Sequence, residues 1–124
     1  MLDQTPRLQL EHISKSFPGV NAVQDVSVSV MPGEILALAG ENGAGKTTLM
    51  NVLNGVIQAE AGTITLDGEP VMIASPHHAL ALGITMIHQE LALIPELTVG
   101  QNIFLGREPR RRGVRGLVDW KKLY

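Results

Sequence analysis

The feature that most constrains the fold of this chain is a glycine-rich loop, GENGAGKTTLM, which begins at Gly40. Within it, the pattern G-x-x-x-x-G-K-[ST] is satisfied by Gly40, Gly45, Lys46 and Thr47. The run ILALA at 35–39, just before the loop, is apolar without interruption, which is typical of a central strand covered on both faces. A buried strand, a glycine loop and a helix in succession predict an α/β core.

The loop has the chemistry of a phosphate site. Its glycines let backbone N–H groups point inward as an anion-binding nest, and a helix starting near Lys46 adds the positive end of its dipole. Lys46 would reach the β- and γ-phosphates of a nucleotide, and the Thr47 hydroxyl would ligate Mg²⁺. The alternative is a glycine-rich turn before an ordinary helix. The residues predicted to contact the phosphates are Gly40, Glu41, Asn42, Gly43, Ala44, Gly45, Lys46, Thr47 and Thr48.

Alternating and turn-forming residues predict strands on either side of this unit. Leu8 and Leu10 alternate with polar residues, and the valines of 23–30 alternate with serines, so we expect an antiparallel pair with one wet face. Asp67-Gly68 lies between two short alternating runs and predicts a hairpin.

Caps and apolar runs predict the remaining elements. We expect a helix with Leu49, Met50, Val52 and Leu53 that ends at Asn54-Gly55, and a second helix from Ser75-Pro76 to about Leu82. A buried strand is expected at 84–87. A capping box at Thr98–Gln101 and Asp119 as an N-cap predict the starts of two further helices. The predicted fold class is α/β, an incomplete P-loop NTPase (RecA-like) core with an N-terminal antiparallel β subdomain. Its boundaries are expected near 1–34 for the antiparallel layer, 35–106 for the core and 107–124 for a connection, which the family resemblance given below implies leads to a helical subdomain.

Composition excludes several classes of function. The 124 residues carry a formal net charge of −2, so no global electrostatic attraction to nucleic acid is expected. The arginines at 110–112 and 115 are interleaved with glycine and lack aromatic neighbours, and a solvated connection is the better interpretation. The chain has no cysteine, which excludes disulfides and thiolate metal sites. It also has no apolar run near the roughly 20 residues that span a bilayer, so any membrane crossing is expected to be made by a partner.

The sequence lacks the acidic residue that a P-loop enzyme needs for hydrolysis at the end of a second apolar strand. Hydrolysis also needs an apolar strand that ends in an acidic residue, which organises Mg²⁺ and the attacking water. Asp67 belongs to the predicted hairpin, and Asp119 follows only two apolar residues and leads into a helix. Neither aspartate qualifies, so we expect the chain to bind a nucleotide without turning it over.

Four stretches of the sequence resemble the N-terminal part of ABC-transporter ATPases. The resemblance is to the importers of ribose, xylose, galactose and similar monosaccharides, in the first ATPase unit, and it covers nearly the whole length. It implies ATP and Mg²⁺ as cofactors. The matching stretches are ISKSFPGVNAV, GENGAGKTTLMNVLNGV, GTITLDGEPV and GITMIHQELALIPELTVGQNIFLGRE.

The resemblance assigns roles to residues outside the loop. It implies that Phe17 stacks on adenine and that Val23 packs below the base; the alternative for Phe17 is a core aromatic. It implies that Gln89 contacts Mg²⁺ and the attacking water, which places Gln89 with Lys46 as catalytic residues, although a plain surface glutamine is the alternative. The segment 91–97 resembles the surface that meets the membrane subunit, and it could equally extend the core.

The resemblance also implies a setting. We expect an ATP-binding subunit, truncated, that couples ATP hydrolysis to carbohydrate uptake at the cytoplasmic face of the inner membrane, peripherally bound. Its partners would be transmembrane permease subunits, a second ATPase unit and, indirectly, a periplasmic sugar-binding protein, with no nucleic acid. Because the LSGGQ-like signature, the acidic strand and the switch histidine are missing from the sequence, the alternative is a non-catalytic nucleotide-binding fragment. A small P-loop kinase is disfavoured, since no acceptor-binding elements or lid are found.

Overall fold

The computed structural model describes residues 5–90, 92–111 and 117–123. They divide into two compact units, Met1–Ile87 and His88–Tyr124, of which the first holds a β-sheet and the second holds short helices and loops. None of the helices in the described ranges is long and apolar enough to cross a membrane. The elements are β1 (Leu8–Phe17), β2 (Val20–Val30), α1 (Lys46–Leu53), β3 (Ala61–Leu66), β4 (Glu69–Val71), α2 (Pro76–Ala81), α3 (Val99–Ile103) and α4 (Trp120–Leu123).

The sheet of the first unit is antiparallel, in the order β2-β1-β3-β4. Pro18 and Gly19 join β1 to β2, as the turn residues predict. Asp67 and Gly68 join β3 to β4 with φ values of +49° and +83°, the left-handed pair that a type I′ hairpin turn requires. Both predicted hairpins are therefore confirmed, and the second adds two strands to the antiparallel sheet beside β1.

One apolar cluster joins this sheet to α1. Leu49, Val52 and Leu53 are buried because they share one helical face, whereas Met50 lies about 100° away around the helix and is 37% exposed. All four apolar residues of the predicted helix are therefore in α1, and three of them face the core. The buried cluster consists of Leu10, Ile13, Val23, Leu49, Val52, Leu53, Ile64, Ile73 and Ala79.

The helix ends follow local sequence. Ser75 caps α2 by accepting from the His78 N–H at 3.1 Å. Thr98 and Gln101 form the predicted capping box of α3, in which the Thr98 N–H donates to Gln101 Oε1 at 2.9 Å and the Gln101 N–H donates back to Thr98 Oγ1 at 3.3 Å. The helix predicted after Asp119 begins at Trp120, while Tyr124 lies outside the described residues.

The two predicted buried strands, at 35–39 and 84–87, are not strands in the structure. Ile35 is 98% exposed and Ile87 is 95% exposed. A strand exists through hydrogen bonds to neighbouring strands, and a parallel strand of this apolar type also needs cover on both faces. Within the described ranges neither segment pairs with another strand, so the apolar pattern alone does not produce the predicted parallel core.

The pairing of β1 with β2 contains an irregularity built on polar side chains. His12 and Asp25 have φ values of +54° and +49°, and their side chains meet across the strands at 2.6 Å between Nδ1 and Oδ1. Ser27 Oγ accepts from the His12 N–H at 2.9 Å, and Ser14 Oγ accepts from the Asp25 N–H at 3.0 Å. Two serine hydroxyls thus replace ladder partners that the bulges remove.

This ion pair makes the stability of the first unit depend on pH. The hydrogen bond that His12 donates to Asp25, together with the Asp25 charge, raises the pKa of His12 above the ordinary 6.5. The stabilisation is therefore full below 6.5 and is lost as the pH rises through the raised pKa. We expect Asp25→Asn to lower the urea midpoint more at about pH 6 than at about pH 9.

The matched control is Asp67→Asn. Asp67 also has a positive φ, but it pairs with Arg7, which keeps its charge across this pH range. A midpoint difference for Asp25→Asn that is constant with pH, or that grows as the pH rises, contradicts the assignment.

Candidate functional site

The glycine loop is attached to the sheet through Gly45, the N-cap of α1. Gly45 has φ +89°, a left-handed conformation that side chains rarely adopt. A Cβ atom on Gly45 would lie 2.1 Å from the backbone oxygen of Ala22 and 3.3 Å from Val23 Cγ2, both in β2. Only a glycine therefore allows the end of the loop to lie directly on β2, and this contact sets where α1 begins.

Lys46 folds back over the loop from the first position of α1. Its ammonium donates to the carbonyl oxygens of Gly40 and, at 2.7 Å, Glu41. The loop between them is a turn in which the Ala44 N–H donates to the Glu41 oxygen at 3.1 Å and Gly43 has φ +87°. The positive charge of Lys46 is thereby held at the mouth of the loop, where a phosphate group would enter.

The start of α1 has the electrostatics of an anion site. The first turn of a helix leaves N–H groups without intrahelical acceptors, and Gly45 has no side chain to cap them. No acidic residue lies in the first turn of α1, so the helix itself carries no carboxylate that would offset the positive end of its dipole. The exposed Thr47 and the half-buried Thr48 add hydroxyls at this turn. The predicted residues 40–48 thus lie together in one loop and helix start, where backbone N–H groups, two hydroxyls and the Lys46 ammonium could bind an anion.

A small cavity lies beside the loop but does not make an enclosed pocket. Its volume is about 100 Å³, below the about 300–1,000 Å³ of typical small-molecule sites. A nucleotide would therefore bind across the open surface of the loop. The cavity is lined by Val23, Val26, Leu38, Ala39, Ala44, Gly45, Lys46 and Leu49.

Phe17 ends β1 at the hairpin turn and is 42% exposed. The Lys15 ammonium lies over its ring, 5.6 Å from the centroid. Val23 differs, since it is 5% exposed and belongs to the core, where it lies against Gly45 and opposite Lys15. A single strand, β2, thus borders both the aromatic residue and the glycine loop, while Val23 itself presents little surface to a ligand.

Gln89 lies in the second unit, exposed and in a stretch without helix or strand. The segment that follows is folded around Asn102, whose side chain accepts from the Ile94 N–H at 2.9 Å and donates to the oxygens of Ile94, Leu97 and Thr98 at 3.1 Å. Sequence reasoning missed this residue, because an asparagine inside a helix carries no local signal for a contact eight residues away. Leu91, in the predicted partner surface, lies outside the described residues.

Other polar candidates serve structural roles or lie elsewhere. His78 Nδ1 accepts from the Ala74 N–H at 3.3 Å at the start of α2, and no cluster of three metal-ligating side chains occurs in the described part of the chain. Arg110 forms a short β-bridge with Val118, which is consistent with a structured connection. Arg112 and Arg115 lie outside the described residues.

Comparison with known proteins gives consistent results. The profile of the ABC transporter family matches residues 23–123. The chain is 52% identical over 118 residues to the ribose import ATP-binding protein RbsA 1 of Rhizobium meliloti, covering 95% of this chain and 23% of that protein. It is 54% identical over 114 residues to the ribose import ATP-binding protein RbsA of Jannaschia, covering 92% of this chain and 22% of that protein. The chain thus spans less than a quarter of the length of these relatives.

A solved structure gives the fold. The crystal structure of a nucleotide-free ATP-binding cassette from an ABC transporter matches with a TM-score of 0.73 and 32% sequence identity, over 82% of this chain and 40% of that one. The α/β fold class, with its antiparallel sheet, is therefore that of an ATP-binding cassette, as predicted.

Proposed function

The chain belongs to the ABC transporter family, and from this premise we propose that it is the nucleotide-binding part of an ATPase that drives the import of a sugar. The single observation that carries the proposal is the glycine loop, held on β2 through Gly45 with the Lys46 charge at its mouth. The names of the relatives, which are ribose import proteins, support the substrate class. The family implies ATP as the nucleotide.

We assign roles to the chain's own side chains as follows. The N–H groups at the start of α1 and the Lys46 ammonium bind the phosphates and neutralise the charge that develops on them. Thr47 and Gln89 would hold Mg²⁺, which would supply Lewis-acid stabilisation of the phosphoryl group. Phe17 stacks on the adenine, and Val23 packs below the base. The proposed division runs from an antiparallel layer, about 1–34, through the core at 35–106 to the connection at 107–124.

The remaining elements of the proposal concern the assembled transporter. Gln89 and the segment 91–97 face permease subunits, a second ATPase unit completes the nucleotide site, and a periplasmic sugar-binding protein delivers the sugar. This places the protein at the cytoplasmic face of the membrane. The exposed apolar groove beside α3, of about 420 Å³, supports a partner surface there. It is lined by Leu93, Ile94, Pro95, Leu97, Val99, Asn102 and Ile103.

The second candidate is a nucleotide-binding chain that does not hydrolyse ATP. The observation that favours it is the exposure of Ile35, next to the loop, where a hydrolytic core would carry a buried strand. We expect the chain to bind Mg·ATP and to release no phosphate above the background of a Lys46→Ala variant. Phosphate release that depends on Lys46 would contradict this candidate and favour an active ATPase.

The role of Phe17 is tested by removing its ring. We expect Phe17→Ala to weaken Mg·ATP binding about tenfold, because base–aromatic stacking is lost, and to leave inorganic tripolyphosphate binding within about twofold. Calorimetric titration of both ligands gives the comparison, and Phe104→Ala, at the chain's other phenylalanine, is the control. If ATP and tripolyphosphate weaken equally, Phe17 does not contact the base.

A further inference from the structure

The carboxylate of Glu60 accepts hydrogen bonds from the end of β1, beyond the last residue of β1 that pairs with β3. The pairing of β1 with β3 ends at Ser14 opposite Ala61, where the Glu60 N–H donates to the Ser14 oxygen at 2.9 Å. Past this point, the Ser16 N–H and hydroxyl both donate to Glu60 Oε2, at 3.2 and 2.8 Å. A side chain therefore supplies the acceptor that a longer β3 would offer, and it fixes the peptide immediately before Phe17.

The other oxygen of the same carboxylate holds the cation that lies over the aromatic ring. Lys15 Nζ donates to Glu60 Oε1 at 3.5 Å, and the Lys15 side chain is 20% exposed. The same ammonium lies 5.6 Å from the Phe17 ring centroid, within the range of cation–π attraction. The Ser16 hydroxyl lowers the pKa of the Glu60 carboxyl against the opposing effect of partial burial, so the carboxylate is ionised at neutral pH.

We propose that Glu60 is a positioning residue for the base-stacking face of Phe17. Its two oxygens hold the residues on the N-terminal side of the ring, Lys15 and Ser16, in one arrangement. Lys15 lies over one face of the ring and Phe17 is 42% exposed, so we assign the base to the opposite face. A ring that is already ordered loses less conformational entropy when it stacks, so the effect on affinity depends on the base and not on the phosphates. The inference rests on the proposed nucleotide-binding function.

The test compares Mg·ATP with inorganic tripolyphosphate, which has the phosphates without the base, in calorimetric titrations of the full chain. We expect Glu60→Ala to weaken Mg·ATP binding about fivefold and to change tripolyphosphate binding less than about twofold. Glu60→Gln, whose amide oxygen still accepts from Ser16, is expected to restore part of the ATP affinity. Glu69→Ala, at another exposed glutamate of the same sheet, is the matched control and is expected to change neither ligand.

A double substitution shows whether Glu60 acts through the ring. In the Phe17→Ala background, we expect Glu60→Ala to have no further effect on ATP binding, because the group that it positions is gone. A further loss there, an equal loss for both ligands, or an unchanged ATP affinity in Glu60→Ala would each overturn the inference.

Failure of the proposed function has a different signature. If the unaltered chain binds neither ligand, or if Phe17→Ala leaves the ATP affinity unchanged, the nucleotide site itself is wrong and the inference fails with it. If Phe17→Ala weakens ATP binding and Glu60→Ala does not, only the role of Glu60 is wrong. Should circular dichroism show that Glu60→Ala is unfolded, Lys15→Met decides: a loss confined to ATP supports the inference, and no loss overturns it.

Discussion

Replacing Lys46 by alanine is expected to weaken Mg·ATP binding at least about 100-fold, because two charge-assisted contacts to phosphate, each of about 1.5–3 kcal/mol, are lost. The structure adds a second reason. The Lys46 ammonium also bonds to the carbonyl oxygens of Gly40 and Glu41, so the variant loses the contact that joins the two ends of the loop. Titration of the full chain with Mg·ATP measures the effect, and tripolyphosphate affinity is expected to fall in parallel.

The control for this prediction is Lys121→Ala, which removes an equal charge from the exposed surface of α4. We expect it to change ATP affinity by less than about twofold, since Lys121 is not part of the proposed loop and solvent-exposed charges are screened by salt. Equal losses in Lys46→Ala and Lys121→Ala would mean that the attraction is a general effect of charge, and the assignment of the loop would be wrong.

Gly45→Ala is expected to lower the free energy of unfolding of the chain by about 2–5 kcal/mol, combining left-handed strain of about 1–2 kcal/mol with overpacking of about 1–3 kcal/mol. The overpacking arises because the new Cβ would lie 2.1 Å from the Ala22 oxygen, a backbone atom that cannot turn aside as the end of a flexible side chain can. The loop must leave β2, so we expect nucleotide binding to be lost as well. Urea denaturation and ATP titration measure the two effects.

Gly43→Ala separates the strain from the contact. Gly43 also has a positive φ, +87°, but a Cβ atom there would meet nothing within 4 Å. We expect this variant to lose only about 1 kcal/mol of unfolding free energy, the cost of the conformation alone. If Gly45→Ala and Gly43→Ala have the same free energy of unfolding, the close contact of Gly45 with Ala22 in β2 does not fix the position of the loop.

Features that depend on neighbouring residues could be predicted from the sequence. The hairpin turn at Asp67-Gly68, the capping box of Thr98 and Gln101, and the start of α1 at Lys46 all follow from residue types a few positions apart. The conformation of the loop glycines is of the same kind, because a positive φ and the start of a helix are local properties, while the phosphate chemistry of 40–48 stays a prediction.

Features that depend on distant partners could not be predicted. The run at 35–39 has the composition of a buried strand, but composition does not supply the neighbouring strands that would make it one. The contact of Gly45 with Ala22, and the acceptance of the Ser16 donors by Glu60, each join residues from different elements, and only the pairing of the strands brings them together. The role of Gln89 stays a prediction for the same reason.

The most direct test of the central claim, that residues 40–48 bind the phosphates and Phe17 binds the base, is the titration of the ¹⁵N-labelled chain with Mg·ATP followed by amide chemical shifts. The account predicts that the largest changes occur at the amides of 41–48, that Phe17 and Ser16 shift with ATP and not with tripolyphosphate, and that Lys46→Ala abolishes all of them. Shifts concentrated elsewhere in the chain, or shifts that persist in Lys46→Ala, would contradict it.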